Sequence, residues 1–130
     1  MSDGECDEGS NWEAILFSSH HKLDNLVAII DRNQRQSINS TEETLQLEPF
    51  AEKWRAFGWN VIEVDGHNHD ELLKVFDIKE TFSKKPLCVI ANTIKGKGVS
   101  FMEGQNLWHY RSPQGDEYNA AIMELEKNNA

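Results

Sequence analysis

The sequence has little of what several protein classes require. Its two cysteines, Cys6 and Cys88, stand far apart and match no metal-ligand or redox spacing, which excludes a disulfide-stapled scaffold and suits free thiols in a reducing compartment. Positive charge is scarce: 13 Lys and Arg face 22 Asp and Glu, and a formal net charge of −9 argues against nucleic acid as the main partner. No apolar run approaches the ~20 residues of a membrane-spanning helix, the longest being residues 26–30 and 87–91. No signal-peptide or lipidation pattern stands at the start, so a cytoplasmic protein with no membrane partner is expected. What remains, 130 residues of which 38% are hydrophobic and 27% charged, suits one globular domain spanning the whole chain, residues 1–130.

Periodicity then places the elements. Residues 11–21 read as a helix, with Ser10 and Glu13 at capping-box spacing and Trp12, Ile15, Leu16 and Ser19 on one face. The unbroken apolar run 26–30, ending at Asp31, reads as a strand buried on both faces of a parallel sheet. Residues 32–44 are polar and too long for a simple connection, which points to a functional loop. A second helix follows Pro49, with Phe50, Trp54 and Phe57 on one face and Gly58 just past its end. A strand at 59–64 leads to the Asp65-Gly66 turn. A third helix is capped by Asn68 and Glu71 and carries Leu72, Leu73, Val75, Phe76 and Phe82. Pro86 introduces a strand at 87–93, and Tyr118, Ala121, Ile122 and Leu125 mark a last helix.

Strands alternating with helices imply an α/β fold with a doubly wound parallel sheet, whose ligands bind at the carboxyl ends of the strands. Asp31 and Lys95 fall at such ends. An Asp3-Gly4 pair followed by a helix is what comes after a strand, yet only Met1 and Ser2 precede it. The expected fold is therefore truncated on its N-terminal side.

Asp3-Gly4 and Asp31-Arg32-Asn33 open two loops one helix and one strand apart. A parallel sheet brings such loops side by side, so the carboxylate of Asp3 and the carboxamide oxygen of Asn33 can converge on one hard cation such as Mg2+. A neutral Asn beside one Asp suits a site where a diphosphate supplies most of the negative charge. Gly4 lets backbone N–H groups approach phosphate oxygens ahead of a helix start. Both pairs are also common turn sequences, and capping alone accounts for them equally well.

The segments Ser2-Asp3-Gly4-Glu5-Cys6-Asp7-Glu8-Gly9 with Trp12-Glu13-Ala14, Lys22-Leu23-Asp24-Asn25-Leu26, Asp31-Arg32-Asn33, Lys53-Trp54-Arg55-Ala56-Phe57-Gly58-Trp59, Asp65-Gly66-His67, Thr93-Ile94-Lys95-Gly96-Lys97-Gly98-Val99 and Trp108-His109 resemble the N-terminal subunit of a split transketolase. They occur in that family's order and spacing over nearly the whole chain. The resemblance is to the later half of the thiamine diphosphate-binding domain. It implies a magnesium site on Asp3, Asn33 and the backbone carbonyl of Arg35, with Gly4 and Lys95 on the cofactor's diphosphate and His109 at the reacting centre. Glu8 and Glu13 match acidic residues at the family's subunit interface, thought to link two active sites. The implied reaction moves a two-carbon ketol unit from a ketose phosphate to an aldose phosphate. It needs a C-terminal partner subunit carrying the pyrimidine-binding domain, in a self-associated or heterotetrameric assembly.

Two departures stand out. The family's Gly-Asp-Gly reads Ser2-Asp3-Gly4, and its Trp-His-Gly reads Trp108-His109-Tyr110, which adds bulk beside the histidine. Two other readings stay open: a truncated, non-catalytic assembly module, or part of another thiamine diphosphate-dependent enzyme. Elsewhere the plain reading suffices. His67 and His69 lack a third metal ligand and read as loop histidines, His20 and His21 as a helix end, and Trp54, Phe57 and Trp59 as core. The 95–98 stretch is no Walker A loop.

Overall fold

Alternation along three parallel strands decides where the two halves of the core lie. The computed structural model describes residues 1–77 and 84–128, in which β1 (Val27–Arg32), β2 (Asn60–Asp65) and β3 (Leu87–Asn92) form one sheet in the order β1-β3-β2. Val27 and Asn60 both sit opposite Leu87, so the three strands start level. Successive side chains point to opposite faces. Ile30, Cys88 and Ile90 join Ile15, Phe50, Trp54 and Trp59 on one face, while Val64, Leu87, Val89 and Ala91 meet Val75 and Leu72 on the other. Helices α1 (Gly9–His20) and α3 (Phe50–Ala56) cover the first face and α4 (His69–Asp77) the second. This is the doubly wound α/β arrangement the sequence implied.

Several local expectations shift. β3, not β1, is the strand buried on both faces: residues 87–91 are all buried, whereas Ile29 of β1 is 45% exposed. An apolar run reports burial somewhere, not which strand is central. Beside β1, the Asp31 amide donates to the Met1 carbonyl and the Asp3 amide to the Asp31 carbonyl, so the residues before Gly4 run parallel to it. Helix α1 starts earlier than expected because a 3-10 turn, Gly4–Asp7, hands the chain straight to it through Glu8, which caps without a side-chain bond. Ser10 therefore lies in the first turn instead of capping it, and the buried face is Ile15 and Ser18, with Leu16 exposed. The reciprocal cap sits eight residues earlier, at the 3-10 turn: the Ser2 amide donates to Glu5 Oε2 (2.6 Å) and the Glu5 amide to Ser2 Oγ (3.3 Å).

The capping pair Asn68 and Glu71 forms as expected, with Asn68 Oδ1 accepting the Asp70 and Glu71 amides. Leu73 and Phe76 on the same helix are exposed, and Phe82 lies outside the described residues. Residues 33–40 form an irregular loop closed by a bridge between Arg35 and Ser40, after which Ser40 caps the short α2 (Thr41–Thr44). The last helix, α5 (Asp116–Asn128), buries Ala121 and is tied to the turn after β3 by Glu124. Its carboxylate accepts the Ser100 amide (2.5 Å) and hydroxyl (2.8 Å). Cys6 and Cys88, distant in sequence, share the first core cluster, and both are free. Burial pushes the Cys6 thiol up to about 12. Among the described residues no helix is long and apolar enough to cross a membrane.

Trp54 is wholly buried, stacks edge-on against Phe50 and Trp59, and leaves its Nε1 without a partner. Trp54→Ala is expected to destabilise the chain by ~3–5 kcal/mol, read as a shift of the urea midpoint, with Trp54→Phe costing clearly less. The two hydrogen bonds from Ser100 hold Glu124 below the usual carboxylate range. A lowered folded-state pKa gives stability that is complete above the ordinary glutamate value and is lost as pH falls through the lowered one. Glu124→Gln should therefore lower the thermal midpoint at pH 7, and the difference from wild type should shrink as pH falls below the ordinary glutamate value.

Candidate functional site

The carboxyl ends of β1 and β3 open into a cavity of about 470 Å³. Gly4, Glu8, Asn33, Arg35, Lys95 and His109 all line it, brought from the 3-10 turn, the 33–40 loop and the two turns after β3. Of the residues singled out in the sequence, Asp3 lies just beneath this surface, fully buried, and Glu13 is an exposed residue of α1 outside the lining. The structure thus brings the two Asp/Asn loops together as the parallel topology requires.

Asp3 is the most enclosed of these groups. Its Oδ1 accepts the Gly4 amide (2.9 Å), and its Oδ2 accepts the Gln34 amide (2.6 Å) and Arg32 Nη1 (3.3 Å). The carboxylate therefore touches the residue directly after Asn33. Burial pushes the Asp3 carboxyl up, although the Gln34 amide, the Arg32 charge and the Gly4 amide each pull it down. Such a group gains from further positive charge nearby. Asn33 Oδ1 accepts the Arg35 amide (2.9 Å), a tight turn that fixes the loop at its first residue. The loop then folds over Gly4, where an added Cβ would stand 3.3 Å from Gln36 Cγ, and Gln36 Nε2 reaches Asp7 Oδ2 (2.7 Å).

The opposite wall depends on the turn after β3. Gly96 has φ of +75°, and a Cβ there would stand 2.7 Å from the Met102 carbonyl oxygen, so only glycine turns the chain so tightly beside Lys95. His67 supports the same turn: its Nε2 accepts the Ile94 amide (2.8 Å). Lys95 Nζ lies 3.3 Å from His109 Nδ1, and Ser37 Oγ lies 3.0 Å from His109 Nε2. An ammonium only donates, so Nδ1 accepts and Nε2 carries the proton toward Ser37. The bulk expected at Tyr110 points to use: its ring lies 5.2 Å from that of His109, and its hydroxyl donates to the Ser37 carbonyl (2.5 Å). Loop 33–40 and the His109 turn are thereby laced together across the cavity.

The sequence assigned no site role to Arg32, Glu48, Gln36 or Ser37, and His67 read as a plain loop histidine. Arg32 is the unusual one: the last residue of β1, it is charged yet buried. Its Nη1 meets Asp3 and Thr41 Oγ1 (3.3 Å), its Nη2 meets Glu48 Oε1 (2.6 Å), and its guanidinium lies 5.7 Å from the Phe50 ring centre. The Phe50 amide and the Arg32 guanidinium hold the Glu48 carboxyl below its ordinary value. Among the described residues no three His, Cys, Asp or Glu side chains gather as a metal cluster. The donor set to which the sequence points is instead one carboxylate, one carboxamide and one backbone carbonyl, hard oxygens of the kind magnesium takes.

A family model described as transketolase, thiamine diphosphate binding domain, matches residues 1–126. An apulose-4-phosphate transketolase subunit from Phocaeicola vulgatus is 44% identical over 127 residues, covering 98% of this chain and 45% of that protein. The 6-deoxy-6-sulfo-D-fructose transketolase subunit SqwG of a Clostridium species is 44% identical over 130 residues, covering 100% of this chain and 47% of that protein. The chain thus spans just under half the length of these relatives. Among solved structures, transketolase from Campylobacter jejuni superposes with a TM-score of 0.84 at 28% identity, covering 98% of this chain and 19% of that one. A Pichia stipitis transketolase complex with sedoheptulose 7-phosphate gives 0.88 at 25% identity, covering 97% and 19%. The match over residues 1–126 and the identity to these relatives place the chain in the transketolase family, in its N-terminal thiamine diphosphate-binding domain.

Proposed function

We propose that this chain binds thiamine diphosphate through Mg2+ and serves, with a partner subunit, in the transfer of a two-carbon ketol unit from a ketose phosphate to an aldose phosphate. The observation that carries this reading is the meeting of Asp3 with the Asn33-Gln34 peptide at the edge of a cavity that Gly4, Arg35, Lys95 and His109 also line. The donor set fits the cation in kind: a buried carboxylate, a carboxamide and the Arg35 carbonyl. Gly4 and Lys95, on opposite walls of the cavity, would face the diphosphate, Lys95 with a cation. When bound, the cofactor supplies the electron sink that makes the carbon–carbon bond of a ketose breakable.

The chain's own groups bind, orient and hold protons around it. Asp3, Asn33 and the Arg35 carbonyl would hold the metal. Lys95 orients His109 through Nδ1, which leaves the Nε2–H as the donor available to a substrate oxygen once Ser37 yields it. Tyr110, through the Ser37 carbonyl, holds the loop against the His109 turn. Glu8 faces this cavity, and with Glu13 it would meet a second subunit. The chain would act in the cytoplasm as the later half of the cofactor domain, residues 1–130.

The two relatives described above are named as subunits of transketolases, one for apulose-4-phosphate and one for 6-deoxy-6-sulfo-D-fructose. A ketose bearing a terminal anion is the corresponding donor class here, and a C-terminal subunit with the pyrimidine-binding domain is the corresponding partner. The isolated chain is expected to show no ketol transfer, and turnover of xylulose 5-phosphate with ribose 5-phosphate by it alone would contradict this. Calorimetric titration with thiamine diphosphate should give Mg2+-dependent heat, strengthened by the partner. Asp3→Ala and, as a check on folding, the more accessible Asn33→Ala should each weaken it beyond the roughly 10- to 100-fold loss typical of groups that only support a ligand. Absence of heat with and without the partner favours a non-catalytic assembly module instead.

A further inference from the structure

We propose that Arg32, clasped between Asp3 and Glu48, sets how tightly the Asp3–Asn33 crevice holds a divalent cation, with Arg32 opposing the cation and Glu48 relieving that opposition. The inference rests on the function proposed above and assigns a role to two residues outside the cavity lining. The Arg32 and Asp3 side chains are 5% and 0% exposed, so water screens their interaction weakly. The guanidinium cannot swing away when a cation arrives, because Thr41, Glu48 and the Phe50 ring fix it on its other sides. A cation on Asp3 must therefore share that carboxylate with a permanent positive charge.

Glu48 decides how severe the conflict is. Arg32 lies closer to Glu48 (2.6 Å) than to Asp3 (3.3 Å), while the shortest bond to Asp3 Oδ2 comes from the neutral Gln34 amide. Glu48 is itself anchored, its Oε2 accepting the Phe50 amide (2.8 Å) at the start of α3. The ion pair thus leans outward. With Glu48 in place Arg32 has a partner in both the metal-free and the metal-bound crevice, and Asp3 can turn its charge to the cation.

The test is a Mn2+ titration of the full chain followed by electron paramagnetic resonance, with thiamine diphosphate saturating, on wild type, Arg32→Gln, Arg32→Lys and Glu48→Gln. Arg32→Gln should tighten Mn2+ about 10-fold, Arg32→Lys should stay within about threefold of wild type, and Glu48→Gln should loosen Mn2+ by about 3- to 10-fold. The lysine variant separates charge from packing. Equal Mn2+ affinities for the Gln and Lys variants, or an affinity for Glu48→Gln equal to or above wild type, would overturn the inference. If Arg32→Gln fails to fold, Glu48→Gln, at a half-exposed side chain, decides alone. Failure of the wild-type chain to bind Mn2+ with thiamine diphosphate would overturn the proposed function as well, whereas binding with indifferent variants overturns only the role of Arg32 and Glu48.

Discussion

The hydrogen bond from the Gln34 amide to the buried Asp3 carboxylate is the constraint on which the crevice depends. It joins the turn at the beginning of the described chain to the loop leaving β1, and it does so with a group that water does not reach. A buried carboxylate without donors would be costly, so the loop must present its backbone here or the packing fails. Everything on the near wall follows from that contact. Gln36 closes over Gly4, Arg32 is drawn under Asp3, and Asn33 is left at the rim of the cavity.

The sheet explains why this crevice lies where it does. Parallel strands that start level also end level, so the loops after β1 and β3 emerge side by side. The far wall is then set by glycine at Gly96 and by His67, which together place Lys95 next to His109. Two walls built from segments far apart in sequence are tied by Ser37, whose hydroxyl meets His109 and whose carbonyl accepts from Tyr110. Fold and crevice are in this sense one structure, since a shift of the sheet register by one residue would separate the walls.

Much of this was legible in the sequence because it depends on local pattern. The helix–strand interval between Asp3 and Asn33 favours adjacent loops in a parallel sheet, and the Ser2–Asp31 bridge makes them so here. The site residues that the family resemblance implies also fall on the lining that the structure displays, apart from Asp3 just below it and Glu13 away from it. Less legible was anything decided by tertiary partners. The run at β1 looked central, yet Ile29 is exposed and β3 holds the centre, because strand order is not written in the composition of a strand. The Ser10–Glu13 spacing lost to the earlier reciprocal cap of Ser2 and Glu5, which starts the helical path sooner. Arg32 and Glu48 were invisible as a pair, since only the path of the loop between them makes them neighbours.

The electrostatic picture that results is one of a buried carboxylate shared between Arg32 and backbone amides at the edge of a cavity lined by oxygen and amide groups. The most direct examination is a crystal structure grown with Mn2+ and thiamine diphosphate, read from the anomalous signal at the manganese edge. The account predicts one peak within about 2.1–2.3 Å of oxygens from Asp3 and Asn33, the span of hard-cation coordination distances. A peak elsewhere, or none with the cofactor visibly bound, would contradict it.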